Sequence, residues 1–226
     1  RSRGLGDVYK RQAGYSSSMF TALTELGSQK GYDMATMEKA GLITRKEDGK
    51  IFDRFVNRIT FPFYSLSGLV IGFTGRSLDK DTQCKYLNSP ETPLFHKGKT
   101  LFGIYQARQE ISKSDKCYLV EGQFDVLSFV QSGYPNTVCG SGTALTLDQV
   151  RIIKKFTRNV TAVYDGDAAG MKASVRNMDI MLAEGMNVRA VLLPEGEDPD
   201  SFARKMGTEK LAKFLKKQET DFISFI

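Results

Sequence analysis

Histidine is nearly missing from this chain of 226 residues, where His96 is the only one. Cysteine is scarce too, and Cys84, Cys117 and Cys139 stand 33 and 22 residues apart. With no CxxC pair and no His/Cys cluster, a structural zinc site and a disulfide framework are both disfavoured. One histidine also argues against Ser-His-Asp or Cys-His catalysis. Long apolar runs are lacking: GLVIGF (68–73) and AVLL (190–193) are among the longest, far short of the ~20 residues that cross a bilayer. Residues 1–12 are basic without an apolar core and do not read as a secretory signal. These absences predict a cytoplasmic protein with no membrane partner. They leave open a cation held by carboxylates, and chemistry that the substrate brings with it.

What is present suffices for one or two cores, with 41% hydrophobic and 26% charged residues. The net charge of +6 is unevenly spread. Residues 1–113 hold 18 basic and 11 acidic side chains (+7), and residues 114–226 hold 14 and 15 (−1). A basic first half suits a polyanion such as nucleic acid or nucleotide phosphates. A solvated lysine-rich surface accounts for the same count, and residues 1–12 alone supply +3 of it.

The first half reads as two short helices, the first capped by Ser16–Ser18 and ending at Gly31, the second capped by Asp33 and ending at Gly41. A hairpin follows with its turn at KEDGK (46–50), then the β-rich runs RITFPFY (58–64) and GLVIGFTGR (68–76). Residues 79–100 read as an ordered loop and 103–113 as a helix. From 115 the pattern becomes regular. CYLVE (117–121), NTVCG (136–140), NVTAVYDGD (159–167) and NVRAVLLP (187–194) are apolar strands, and helices over 124–133, 146–156 and 168–185 separate them. Thr146 and Gln149 form a capping box for the second of these helices. Continuous apolar strands alternating with helices predict an α/β fold, a parallel sheet covered on both faces. Two more helical segments, DPDSFARKMG and TEKLAKFLKKQ, close the chain.

Ligands of such sheets bind at the carboxyl ends of the strands, and three of the four strands end in acid. Glu121 and Asp125 follow the first, Asp165 and Asp167 the third, and Glu195, Glu197, Asp198 and Asp200 the fourth. Alternate residues of an extended chain point the same way, so Asp165 with Asp167, and Asp198 with Asp200, can aim carboxylates at one point. Hard oxygen donors without histidine or cysteine suit Mg²⁺ or Mn²⁺, which bridge carboxylates to substrate phosphates.

EGQFD (121–125), YDGDAAG (164–170) and the third acidic loop together resemble the Toprim domain. That domain is shared by bacterial primases, type IA and II topoisomerases, overcoming-lysogeny-defect-type nucleases and recombination mediators. The resemblance implies Glu121 as the acid that transfers a proton and Asp165 and Asp167 as catalytic metal ligands. LLPEGEDPDSF (192–202) is similar to the primase form, which adds Asp198 and Asp200, and Glu121 and Asp125 join the expected metal set. DRFVNRITFPF (53–63), GFTGR (72–76), KYLNSPETPLFHKGKTLFG (85–103) and YQAR (105–108) resemble the core of the DnaG-type replicative primase over roughly residues 31–226. By this likeness Arg54, Arg76, Lys85, Asn88 and Lys97 bind single-stranded DNA template and ribonucleoside triphosphates. Arg58 and Lys99 read instead as solvated surface charge.

The likeness implies a domain order: a segment 1–12 that reads as non-native, a basic mixed α/β subdomain 13–113, a Toprim domain 114–207, and the start of a helical subdomain at 208–226. It implies an enzyme that makes short RNA primers by Mg²⁺- or Mn²⁺-dependent nucleotidyl transfer. Zinc belongs to a domain expected before this stretch, and contact with the replicative helicase to one expected after it. Other Toprim activities, a topoisomerase or nuclease, or a DNA-binding protein without catalysis, are the rival readings. Weaker features are set aside. GKT (98–100) imitates a Walker A ending but has Pro93 where a glycine is required. GSGT (140–143) reads as a tight strand-to-helix turn, His96 as structural or facing nucleic acid, and Tyr164 as core.

Overall fold

The computed structural model describes residues 13–221 apart from Lys80, Ser141, Thr143 and Asp167, with backbone alone over 168–174. Segment 1–12 and Asp167 therefore lie outside the described residues. The chain forms two compact units that divide between His96 and Lys97.

The unit before this division holds β1 (Gly14–Ser16), α1 (Ala22–Gln29), α2 (Met34–Lys39), β2 (Ile43–Arg45), β3 (Ile51–Asp53), β4 (Arg58–Tyr64), β5 (Val70–Ser77) and β6 (Tyr86–Asn88). Strands β1-β4-β5-β6 form an antiparallel sheet in that order, and β2-β3 a separate hairpin. The hairpin turns at KEDGK as expected, with Lys46 N donating to Lys50 O at 2.9 Å. Phe55, Phe61, Phe63 and Phe95 are buried here. Asp33 caps α2 through the N–H groups of Ala35 and Thr36. The cap expected from Ser16–Ser18 is overturned, because α1 starts only at Ala22. Asp53, distant in sequence, instead accepts from Leu23 N (2.6 Å) and from Thr24 N (2.9 Å) and Oγ1 (2.7 Å). The expected loop 79–100 contains β6, too short to carry a periodic signal and held by its pairing with β5.

The following unit comprises α3 (Ile104–Ser114), β7 (Cys117–Val120), α4 (Gln123–Gln131), β8 (Thr137–Cys139), α5 (Leu147–Lys154), β9 (Asn159–Tyr164), α6 (Ala168–Ala183), β10 (Asn187–Leu192), α7 (Pro199–Gln218) and β11 (Thr220–Asp221). Its sheet runs β11-β10-β9-β7-β8, parallel except for the edge strand β11. Alternation sorts the core. Cys117 and Leu119, Val160, Ala162 and Tyr164, and Val188 and Ala190 join Ile104, Ala107 and Ile111 of α3, Val150 and Ile153 of α5, and Met178 and Met181 of α6. Helix α3 thereby belongs to this unit. On the other face α4 packs against α7, with Val126, Phe129, Phe202, Leu211 and Leu215 buried. The two closing helical segments follow one another in α7, separated as expected by a break at Gly207 (φ 68°). Among the described residues no helix is long and apolar enough to cross a membrane.

Candidate functional site

Strand order decides where a ligand can sit. From β7 the chain passes outward to β8, then returns across β7 to lay β9 and β10 on the other side. The connections leaving β7 and β9 thus diverge, which opens a crevice at the carboxyl ends of these neighbouring strands. Glu121 directly follows β7 and Asp165 directly follows β9. The loop after β10, residues 193–198, lies at the same end because β9 and β10 are parallel.

The acid loops are fastened together. Leu193 N donates to Tyr164 O (3.2 Å) and Gly166 N to Glu197 O (3.4 Å). Gly166 makes this approach possible: a Cβ there would lie no farther than 2.6 Å from the backbone atoms Leu193 O, Pro194 O and Pro194 C. Asp125, buried in the first turn of α4, accepts from Gly122 N (2.7 Å) and from Asp200 N (3.1 Å). One carboxylate so ties the loop after β7 to the start of α7. Burial pushes the Asp125 carboxyl up to about 7, with Asp165, Asp198 and Asp200 adding repulsion and the Gly122 N–H opposing it. Three acids from the second and third loops therefore lie within electrostatic reach of an acid from the first.

The pairing expected for Asp198 and Asp200 takes a different form, because the chain is extended only as far as Asp198. Asp198 is the N-cap of α7 and accepts from Ser201 N (2.7 Å), while Pro199 and Asp200 already belong to the helix. Asp200 accepts from the Ser128 hydroxyl and from Arg204 Nη2 (2.8 Å). Glu197 pairs with Lys205. Tyr164 is a core residue as expected. Burial raises its phenol and the charge of Glu121 adds to the shift, which places Glu121 beside it. The parts of Asp125 and Ser128 left no trace in the sequence pattern, since they act across more than seventy residues, whereas the Asp200–Arg204 pair has the i, i+4 spacing of a helix surface.

The basic set divides. Arg76 pairs with Tyr86 and Thr74 with Asn88 across β5 and β6, so Arg76, Tyr86 and Asn88 share one face of the sheet. The Arg76 guanidinium lies 5.9 Å from the centre of the Tyr86 ring, and Arg54 donates to Asn88 O at 3.1 Å. Lys85 is exposed one residue before β6, and alternation turns it to the opposite face. Lys97 sits on the other compact unit. Arg58 is a clamp, not a solvated charge: it donates to Gly75 O (3.0 Å), Cys84 O (3.0 Å) and Lys85 O (3.3 Å). Lys99 is exposed, 4.0 Å from Asp148. His96 lies 3.1 Å from Glu91.

Among the described residues no three acidic, imidazole or thiol groups converge closely enough to hold one metal ion, and Asp167 lies outside that set. The donors nevertheless fit a hard divalent cation in kind. They are carboxylates from three strand ends, and the charges of Asp165, Asp198 and Asp200 oppose the ionisation of Asp125.

A parallel sheet with acids at its switch point and an antiparallel basic unit before it define a class, a Toprim-like domain joined to a DNA primase catalytic core, N-terminal domain. Family models of those descriptions match residues 118–203 and 2–108. The chain is 38% identical over 226 residues to the DNA primase of Staphylococcus epidermidis, covering 99% of this chain and 38% of that protein. Among solved structures, a DNA primase domain from Pseudomonas aeruginosa superposes with a TM-score of 0.87 at 36% identity, covering 94% of this chain and 67% of that one. A DnaG primase catalytic domain bound to single-stranded DNA gives 0.84 at 34%, covering 94% and 69%. This chain belongs to the DnaG-type DNA primase catalytic core family.

Proposed function

We propose that this chain is the polymerising core of a DNA primase, an enzyme that copies single-stranded DNA into short RNA primers. The reaction is nucleotidyl transfer: a ribonucleotide 3′-OH attacks the α-phosphate of an incoming ribonucleoside triphosphate, the α–β phosphoanhydride bond breaks, and pyrophosphate leaves. The observation that carries this reading is the convergence of acid loops at the carboxyl ends of β7, β9 and β10. Glu121, directly after β7, would accept the hydroxyl proton. Asp165, Asp167, Asp198 and Asp200 would hold Mg²⁺ or Mn²⁺, with Asp125 tying the loop after β7 to the start of α7. When bound, the cation neutralises and polarises the phosphates. Arg54, Arg76, Lys85, Asn88 and Lys97 position template and nucleotide through phosphate contacts without reading sequence. The match of residues 2–108 to the primase N-terminal domain favours this reading over a Toprim topoisomerase or nuclease.

The chain spans 38% of the S. epidermidis relative. A replicative helicase as partner and a cytoplasmic site of action belong to the same proposal, and no residue of this chain is assigned to the helicase. The test is incubation with single-stranded DNA, labelled ribonucleoside triphosphates and Mg²⁺ or Mn²⁺, with and without a pre-annealed RNA primer. Template-dependent RNA is expected, most readily in Mn²⁺ and from the annealed primer, because the primer removes the entropic cost of assembling two nucleotides and a template. A chain that binds DNA and Mn²⁺ but extends nothing in either format would overturn the proposal.

A further inference from the structure

The turn that carries Lys97 is built by a helix far from it in sequence. Residues Lys97–Lys99 form a single 3-10 turn, closed by Thr100 N donating to Lys97 O (3.3 Å). Gln149, in the first turn of α5, has no exposed surface. Its amide nitrogen donates to Lys97 O (3.0 Å) and to Thr100 O (2.9 Å), and its amide oxygen accepts from Thr146 N (3.1 Å). The Thr146 hydroxyl accepts from Gln149 N (3.2 Å) and donates to Gly98 O (2.5 Å). Both amide donors of Gln149 are thus committed, and three carbonyls of the Lys97–Thr100 turn face the start of α5. Just downstream, Phe102 exchanges backbone hydrogen bonds with Cys139 at the end of β8, at 2.8 and 3.2 Å. Lys97 is left half-exposed and Lys99 exposed.

A capping box needs only the contacts between Thr146 and Gln149. Two further amide hydrogen bonds to a turn some fifty residues away are more than the helix start requires. An apolar side chain would cover that turn equally well but would take one donor from Thr100 O and leave Lys97 O with the Thr100 N–H in place of two donors. What the amide adds is orientation: it holds the peptide planes that follow Lys97 and Thr100 in one arrangement.

We infer that Gln149, supported by Thr146, is a positioning residue that holds Lys97 to receive a phosphate of the template or nucleotide, an inference that rests on the primase reading of Lys97. Lys97 is thereby carried on the same compact unit as the carboxylates.

The experiment is a double-mutant cycle in the full chain with Lys97→Met and Gln149→Met. A labelled single-stranded oligonucleotide and ATP are titrated over a salt series, and Mn²⁺ is titrated separately. Lys97→Met should weaken binding and lower the slope of log K against log salt by about 0.7 per lost contact. Gln149→Met should reproduce most of that loss in affinity and slope. The double variant should bind no more weakly than Lys97→Met alone, and Mn²⁺ affinity should stay within about twofold, because the acid loops make none of these contacts. Should Gln149→Met fail to fold, Thr146→Val is expected to give the same partial loss and Thr146→Ser, which keeps the hydroxyl, to restore binding. Losses that multiply in the double variant, or an unchanged salt slope in a folded Gln149→Met or Thr146→Val, overturn the positioning role while Lys97 remains a contact. No effect of Lys97→Met overturns the reading of Lys97 and the positioning role with it.

Discussion

Replacing Gly166 by alanine adds one methyl group at the point where the second and third acid loops meet. The added Cβ meets Leu193 O, Pro194 O and Pro194 C, all backbone atoms that no side-chain rotation can move aside. The loops must separate, at an overpacking cost of about 1–3 kcal/mol. The bonds from Leu193 N to Tyr164 O and from Gly166 N to Glu197 O stretch with them, at about 1 kcal/mol each. Together Gly166→Ala should destabilise the unit by about 3–5 kcal/mol, read as a lower urea midpoint at unchanged slope. It should also weaken Mn²⁺ binding at least about tenfold, since a misplaced ligand loses its geometry. Gly196→Ala is the matched control. Gly196 sits in the third loop with φ 78° and nothing within 4 Å of an added Cβ, so it costs about 1–2 kcal/mol of backbone strain without driving the loops apart. Its Mn²⁺ affinity should hold. Equal Mn²⁺ affinity in Gly166→Ala and wild type, or equal losses in both variants, would refute the claim that the close approach at Gly166 sets the site.

Asp165→Asn should lose Mn²⁺ binding and any RNA synthesis, yet match or slightly exceed wild type in metal-free stability because one repelling charge is gone; a metal-free midpoint well below wild type would contradict this. Arg76→Glu should weaken binding of single-stranded DNA and flatten its salt dependence, with Mn²⁺ affinity unchanged; an identical salt series in wild type and variant would make Arg76 ordinary surface. Glu219 provides a pH test away from the acid loops. Its burial opposes ionisation, but hydrogen bonds from Lys116 and Thr161 and the charges of Lys116 and Arg189 outweigh it and hold the carboxyl below its ordinary value. A depressed carboxyl contributes stability that is complete above the unfolded-state value of about 4.5 and is lost as pH falls through the lower folded value. Glu219→Gln should therefore cost about 1–3 kcal/mol at pH 7 and less at pH 3 to 4, measured by urea melts; a penalty independent of pH would remove the linkage.

Much of this molecule is written in short-range pattern. Short, mostly apolar runs marked the parallel strands because a sheet covered on both faces demands them. Thr146 with Gln149, and Asp33 before α2, were readable because a cap acts within three residues of itself. The acids at strand ends located the crevice, since parallel strands bring their carboxyl ends to one edge whatever their order. Strand order itself was not readable: β9 pairs with β7 and not with β8, and that choice makes the switch point. Partners remote in sequence were also invisible. Asp53 caps a helix that starts thirty-one residues earlier, Asp125 turns its carboxylate to the N–H of Asp200, and Arg58 clamps the carbonyls of residues 75, 84 and 85. In each case a polar side chain satisfies backbone groups that only folding brings within reach, and such groups carry no period along the chain. Sequence determined which chemistry is available and at which edge. Tertiary structure decided which charges hold the loops together and which remain to meet a substrate, because desolvation and hydrogen bonding exist only once the chain has packed.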